Sequence, residues 1–306
     1  MQKILVTGSN GLLGQKLVQF LKKDVSVKLI ATARGENRIP DEQDYEYCSM
    51  DISSEDDVKL VLNKYKPDTI IHTAAMTNVD ACELHQDQCK LMNVDAVKFI
   101  VNALKQLRSN DYNPHLIHLS TDFIFDGTKG PLKEDEQPNP LSYYAWSKLE
   151  AEQIVMKSEL HWSIARTVLV YGIIPHSSRS NVVLWAKSSL EQGKQINVVT
   201  DQFRTPTLAE DLAQGCILIA KKKESGVFNI SGPDFMSIFE LVQRVARYWK
   251  LDLNLIQPST SEGINQPAKR PPITGFVIDK AKNSLGYKPH SFEEGLALLD
   301  SQLSIS

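Results

Sequence analysis

The sequence predicts an α/β protein built on a doubly wound parallel sheet, with a smaller lobe at its C-terminal end. Three observations carry that prediction. The apolar run Ile4-Leu5-Val6 leads into Gly8-Ser9-Asn10-Gly11-Leu12-Leu13-Gly14, a glycine turn that opens an amphipathic segment. Short, nearly continuous apolar runs then alternate with helical patterns, as a parallel sheet covered on both faces requires. Beyond residue 167 the alternation loosens, and stretches containing Pro, Gly and Ser interrupt it at 172–180, 231–237 and 257–275.

Strands are expected at Ile4 to Thr7, Val27 to Ala31, Tyr45 to Met50, Thr69 to Ala74, Leu116 to Ser120 and Ser163 to Thr167. Between them, helices are expected near 12–22, 54–65, 88–108 and 143–158. The first has the apolar face Leu13-Leu17-Phe20-Leu21, at the spacing that buries one side of a helix. Periodicity persists near 181–192, 208–221, 237–249 and 292–303. Residues 1–167 are therefore assigned to a Rossmann-type dinucleotide-binding domain, to which later segments can return, and 168–306 mainly to a substrate-binding lobe.

A chain of 306 residues can bury a large core, and 42% hydrophobic with 23% charged residues is ordinary for a globular protein. A formal net charge of -3 gives no bulk attraction for nucleic acid or anionic lipid, so neither is expected as a partner. Lys221-Lys222-Lys223 reads as a solvated helix end. No apolar stretch reaches membrane-spanning length, and the chain opens on a strand-like run rather than a secretory signal. Four cysteines without CxxC spacing and seven histidines without an HExxH pattern suggest a reducing, cytoplasmic setting and no structural metal. The histidines receive no functional assignment.

The glycine turn carries the first piece of chemistry. A helix N-terminus offers unpaired N–H groups and the positive end of a dipole, which suits a pyrophosphate if no side chain blocks its approach. Gly8 and Gly11 supply the open backbone, Gly14 lets the helix pack on the first strand, and Asn10 and Leu12 join them as cofactor-binding candidates. The spacing GxxGxxG differs from the GxGxxG fingerprint by one residue. About 20 residues beyond the last glycine, an NAD-selective site places an acidic residue, whereas this chain has Thr32-Ala33-Arg34. Arg34 can pair with a 2′-phosphate, so NADP(H) is the preferred cofactor and NAD(H) is possible. Asp51 and Ile52 are placed near the adenine, although Asp51 followed by Ser53-Ser54-Glu55 also reads as a helix N-cap region.

The second piece is Tyr144-Ala145-Trp146-Ser147-Lys148, which sets a phenol and an ammonium one helical turn apart. A lysine there favours the phenolate and brings the tyrosine closer to neutral-pH proton transfer. Thr121, at the end of the expected fifth strand, lies at the sheet edge where ligands collect.

Together these residues resemble the extended short-chain dehydrogenase/reductase family over essentially the whole chain, and within it the dTDP-4-dehydrorhamnose reductases. The resemblance is carried by Ser120-Thr121-Asp122-Phe123-Ile124-Phe125-Asp126-Gly127, by Tyr144 to Lys148, by Arg166-Thr167 followed by Tyr171-Gly172, and by Asp201-Gln202-Phe203-Arg204-Thr205-Pro206-Thr207. It implies that Thr121 hydrogen-bonds the substrate carbonyl, Tyr144 donates the proton, and Lys148 tunes Tyr144 and holds the nicotinamide ribose. It likewise matches Asn93 to an asparagine supporting a water-linked proton path, and Ala74 and Ala75 to a segment passing close to the cofactor. Their plainer reading is strand-end packing. Asp122 joins Thr121 as a substrate candidate, and Arg204 and Arg270 are candidates for a substrate phosphate. The alternative for Arg204 is an ion pair with Asp201 or Glu210. Trp146 and Trp185 are read as packing or interface residues.

Two stretches depart from the family pattern. Leu169 stands where a tryptophan commonly lies beside the sugar, and Lys269-Arg270-Pro271-Pro272-Ile273-Thr274-Gly275 replaces an Arg-Pro followed by Asn-Ser. The expected activity is NAD(P)H-dependent reduction of a nucleotide-linked 4-keto-6-deoxysugar. Rival readings are a sugar-nucleotide epimerase and an NADP-binding regulatory subunit resembling that of methionine adenosyltransferase. A 4,6-dehydratase is disfavoured because Asp122 is followed by Phe123 rather than a second carboxylate. The broader family makes a homodimer through the helices near 88–108 and 143–158 plausible.

Overall fold

The computed structural model describes residues 1–40, 43–174, 181–263 and 266–304. Seven parallel strands form the central sheet: β1 (Gln2–Thr7), β2 (Val27–Ala33), β3 (Glu46–Ser49), β4 (Thr69–His72), β5 (His115–Thr121), β6 (His161–Thr167) and β7 (Gly226–Asn229). Their spatial order is β7-β6-β5-β4-β1-β2-β3. Strand order reverses between β1 and β4, and in a doubly wound sheet ligands bind at the carboxyl ends of the strands beside such a reversal.

Alternation along β1 divides the core into two layers, because successive side chains point to opposite faces. Ile4 and Val6 pack with Leu17 of α1 (Leu12–Leu21) and Leu212 of the later helix Ala209–Lys222. Leu5 packs on the other face with Val58 of α2 (Glu55–Tyr65), Val97 of α3 (Ala96–Leu107) and Val155 of α4 (Tyr143–Met156). The N-terminus of α2 is capped by Ser54, whose side chain accepts the Asp57 N–H at 3.2 Å.

β7 was not among the expected strands. Its four residues, Gly226-Val227-Phe228-Asn229, form too short an apolar run to stand out, and only pairing with Ser163 to Arg166 of β6 makes it a strand. β4 stops at His72 because the next two amides, of Thr73 and Ala74, turn to the Thr7 hydroxyl at 3.2 Å each. The helix expected over 88–108 is broken into Gln86–Lys90, a wide π-type turn over Leu91–Asp95, and α3. Ala96 N–H reaches back to Leu91 O, the five-residue bond that marks such a turn.

The C-terminal region has its own core, in which Val183 and Leu190 of α5 (Val182–Glu191) meet Leu241 and Val245 of α7 (Ile238–Tyr248) and Leu296 and Leu299 of α8 (Phe292–Leu303). Here α6 is Ala209–Lys222, which packs on α1. Ser237 caps α7 by accepting Glu240 N–H at 3.0 Å, and each fully buried Leu or Val on its inner face contributes roughly 1.5–3 kcal/mol. Between this core and the sheet, Phe203–Arg204 pairs with Met236–Ser237 on one side and Ile273–Thr274 on the other. Among the described residues no helix is long and apolar enough to cross a membrane.

Candidate active site

The glycine turn is closed by Gly11 N–H to Gly8 O at 2.9 Å and tied to β2 by Ser9 N–H to Thr32 O at 3.0 Å. Gly8 sits at φ +68, and a Cβ there would lie 2.9 Å from the Ala74 backbone nitrogen. A Cβ on Gly14 would lie 2.2 Å from Gly8 O, so this position is glycine because the helix touches its own lead-in. Gly11 is the N-cap of α1 and no side chain caps the helix, which leaves its first amides open to an anion. This is a cradle that fits a pyrophosphate.

Asn10 clips the loop after β2 to the turn: its Nδ2 donates to Glu36 O and its Oδ1 accepts Arg38 N–H, both at 2.9 Å. Leu12 packs toward Gly172, where a Cβ would meet its methyl at 3.2 Å. Arg34 is 76% exposed and 4.0 Å from Asp51, whose carboxylate takes the Ser53 N–H and hydroxyl at 2.9 and 2.6 Å. Ile52 is buried in the second core layer. Ala74 and Ala75 lie half-buried beyond β4.

Around the other group, α4 starts at Ser142, whose hydroxyl accepts Ala145 N–H at 3.4 Å. Its inner face holds Tyr144, Lys148, Ala151 and Val155, spaced so that all four point at the sheet. Tyr144 is buried with its hydroxyl facing Thr121, and its ring meets Phe123 edge-on with centroids 6.1 Å apart. Thr121 Oγ1 donates to Asp122 Oδ1 at 3.1 Å and accepts Phe123 N–H at 3.3 Å. Lys148 Nζ donates to Leu119 O at 2.6 Å and lies 3.4 Å from His118 Nε2. Burial pulls the Lys148 ammonium down to about 8, with the Glu152 carboxylate opposing. Tyr144 moves opposite to the direction expected from Lys148 alone: burial pushes the phenol up and outweighs the opposing effect of the Thr121 hydroxyl beside it.

Asn93 falls in the wide turn, and its amide is engaged on every side. Its Oδ1 accepts Met76 N–H at 2.8 Å, while Nδ2 donates to Met76 O and to Ser147 Oγ at 3.0 Å each. Ser147 in turn donates to Tyr144 O at 2.7 Å, so Asn93 links the segment after β4 to the helix bearing Tyr144.

The two arginines separate. Arg204 pairs with neither Asp201 nor Glu210: Asp201 accepts the Ser261 hydroxyl at 2.6 Å, and Glu210 meets Lys16 at 2.8 Å. Instead Arg204 is buried 3.7 Å from Asp122 and donates to the carbonyls of Phe203, Pro272 and Pro271 at 2.7, 3.1 and 2.8 Å. The Thr274 hydroxyl donates to Asp122 Oδ2. Burial raises the Asp122 carboxyl, and Arg204 opposes that shift. Arg270 makes a two-pronged pair with Asp80 at 2.7 and 3.1 Å, which holds that carboxyl below its ordinary range.

Residues 1–304 match the RmlD substrate binding domain. The chain belongs to this family. A crystal structure of a dTDP-4-dehydrorhamnose reductase from Clostridium acetobutylicum superposes with a TM-score of 0.85 at 29% identity, covering 99% of this chain and 100% of that one. The reductase of the same name from Bacillus anthracis, solved in complex with NADP, gives 0.83 at 25% identity over 99% and 100% of the two chains. The methionine adenosyltransferase 2 subunit beta of Bos taurus is 28% identical, covering 86% of this chain and 77% of its own.

From the sequence no role is expected for His118, Ser147, Thr274 or Asp80, although Ser147 and Thr274 lie within the stretches 144–148 and 269–275. The signal for His118 was present: it is a polar residue inside His115–Thr121, a strand whose every residue is buried. Ser147, Thr274 and Asp80 carry no such mark, because their partners lie far away in the chain.

Proposed function

We propose that this RmlD-family protein is an NAD(P)-dependent oxidoreductase that reduces a nucleotide-linked 4-keto-6-deoxysugar, with dTDP-4-dehydrorhamnose, converted to dTDP-rhamnose, as its substrate. The supporting observation is the buried Tyr144 hydroxyl beside Thr121, one helical turn from the Lys148 ammonium, at the carboxyl end of the strand next to β4. Relatives named as reductases of this sugar nucleotide cover the full length of the chain.

Gly8, Gly11 and Gly14 with the uncapped amides of α1 would hold a pyrophosphate, and Arg34 a 2′-phosphate, which makes NADPH the preferred cofactor and NADH the alternative. A reduced nicotinamide bound there supplies a hydride. The chain's own residues manage the oxygen of the ketone. Burial keeps the Tyr144 phenol protonated at neutral pH, the state a proton donor needs. Thr121, whose hydrogen rests on Asp122, turns its hydroxyl to the same oxygen as charge builds there. The Lys148 ammonium supports the phenolate left behind. That ammonium is lost as pH rises through about 8, so turnover declines on the alkaline side.

Incubation with stoichiometric NADPH and a panel of nucleotide 4-ketosugars tests this reading. One NADPH consumed per ketone supports it, and interconversion of sugars without net consumption makes the protein an epimerase. The subunit-beta relative favours a second reading, a nucleotide-binding regulatory subunit. Copurification with a stoichiometric partner enzyme, together with no ketosugar turnover, would select it.

A further inference from the structure

The geometry points to His118 as a positioning residue for Lys148: its imidazole accepts one ammonium hydrogen at Nε2 while Leu119 O takes another, leaving a single N–H for the crevice beside Tyr144. The inference rests on the proposed role of Lys148, which gives the ammonium's direction a consequence. A lysine head on a flexible stem carries three hydrogens and no preferred plane, so fixed acceptors are what aim it. Leu119 O at 2.6 Å and His118 Nε2 at 3.4 Å are two such acceptors on neighbouring residues of β5.

The imidazole's protonation pattern follows from its surroundings. To accept at Nε2 it must carry its hydrogen on Nδ1, and Nδ1 is buried without a hydrogen-bond partner among the described residues. A buried donor without a partner is costly, so its presence calls for an explanation. The need for a lone pair on the opposite nitrogen supplies one.

A second imidazole, His72 of β4, stacks on the first with centroids 5.5 Å apart. Its Nδ1 lies 2.8 Å from Thr7 Oγ1, which already accepts the Thr73 and Ala74 amides. The Thr7 hydrogen therefore goes to His72 Nδ1, and that ring too is neutral. Burial, reinforced by Lys148, holds both rings well below the ordinary histidine range. The other groups facing Lys148 are Tyr144 and Glu152 on its own helix, Cys82 on the short helix Val79–Leu84 and Cys89 on the short helix Gln86–Lys90. Glu152 is claimed by Arg166 of β6 through hydrogen bonds of 3.0 and 2.8 Å. His118 is thus the neutral side-chain acceptor that joins Leu119 O in holding the ammonium.

Two NMR measurements on the whole protein test this. In wild-type protein with ¹⁵N-labelled histidine, the His118 ring is expected as the Nδ1–H tautomer, and an Nε2–H ring would overturn the inference, since it has no lone pair to offer. In protein with labelled lysine ε-groups, the Lys148 signal, assigned by its loss in Lys148→Arg, is followed through pH in wild type, His118→Leu and His118→Gln. Losing the acceptor destabilises the ammonium, so His118→Leu should move its midpoint down by about half a unit or more, roughly threefold in ionisation constant, while His118→Gln retains it. The alkaline limb of kcat should move with it. Unchanged titration in His118→Leu overturns the inference. If that variant does not fold, the wild-type tautomer still decides. Should both NMR results hold while no ketosugar is reduced, the proposed function fails and the positioning role stands.

Discussion

The glycine turn after β1 and the Asp122–Arg204–Thr274 cluster after β5 both sit at carboxyl ends of sheet strands, and they are built by opposite means. The turn comes from one short segment and does its work with backbone amides and missing side chains. The cluster draws buried polar side chains from three distant segments, with Arg204 sealed among the carbonyls of Phe203, Pro271 and Pro272. Local sequence can specify the first kind of site, since each glycine answers a steric demand within the turn. The second kind exists only after the segments carrying Arg204 and Thr274 have come together on Asp122. Thr121 adjoins the cluster through its hydrogen bond to Asp122.

The largest expected effect tests the phenol beside the cluster. Tyr144→Phe should keep the fold and cofactor binding and lose turnover by about 10²–10⁴-fold, measured by stopped-flow NADPH oxidation. Near-native turnover would remove the phenol from the chemistry. Arg204→Met probes the assembled cluster. It leaves the buried Asp122 carboxylate without its cation, and stability should fall by about 3–5 kcal/mol in urea unfolding. Adding Asp122→Asn should restore part of that loss, and strict additivity of the two changes would show that the groups do not interact.

A smaller loss is expected at the turn. Gly14→Ala places a Cβ 2.2 Å from Gly8 O, and relieving that contact should cost about 1–3 kcal/mol and weaken nucleotide binding by calorimetry. An unaltered melting temperature and affinity would mean that the helix is free to slide. Arg34→Ala should have the least effect on stability, within about 0.5 kcal/mol, because the side chain is 76% exposed. Its mark should be a rise in KM for NADPH of about tenfold, worth about 1.4 kcal/mol, with KM for NADH little changed. Equal effects on the two cofactors would detach Arg34 from the 2′-phosphate.

Six strands of the sheet were legible because short, nearly continuous apolar runs alternate with helical patterns, and α1 because its apolar face Leu13-Leu17-Phe20-Leu21 repeats at helical spacing. β7 was not, since Gly226–Asn229 becomes a strand only by lying along β6. The break in the helix over 88–108 was hidden for a related reason. Its residues suit an uninterrupted helix, and Asn93, held by Met76 and Ser147, lies within the wide turn. Arg204 was visible as a cation, but its neighbours in sequence, Asp201 and Glu210, suggested partners that lie elsewhere in space.

By itself the sequence determined the alternating α/β order, the glycine turn and the tyrosine-lysine pair, because each depends on residues a helical turn or a strand's length apart. Tertiary structure alone decided which carboxylate Arg204 would face, where β7 would join, and which way burial would drive Tyr144 and Lys148. Dielectric surroundings and long-range contacts belong to no single segment; they arise when segments far apart in the chain pack against the same strand ends.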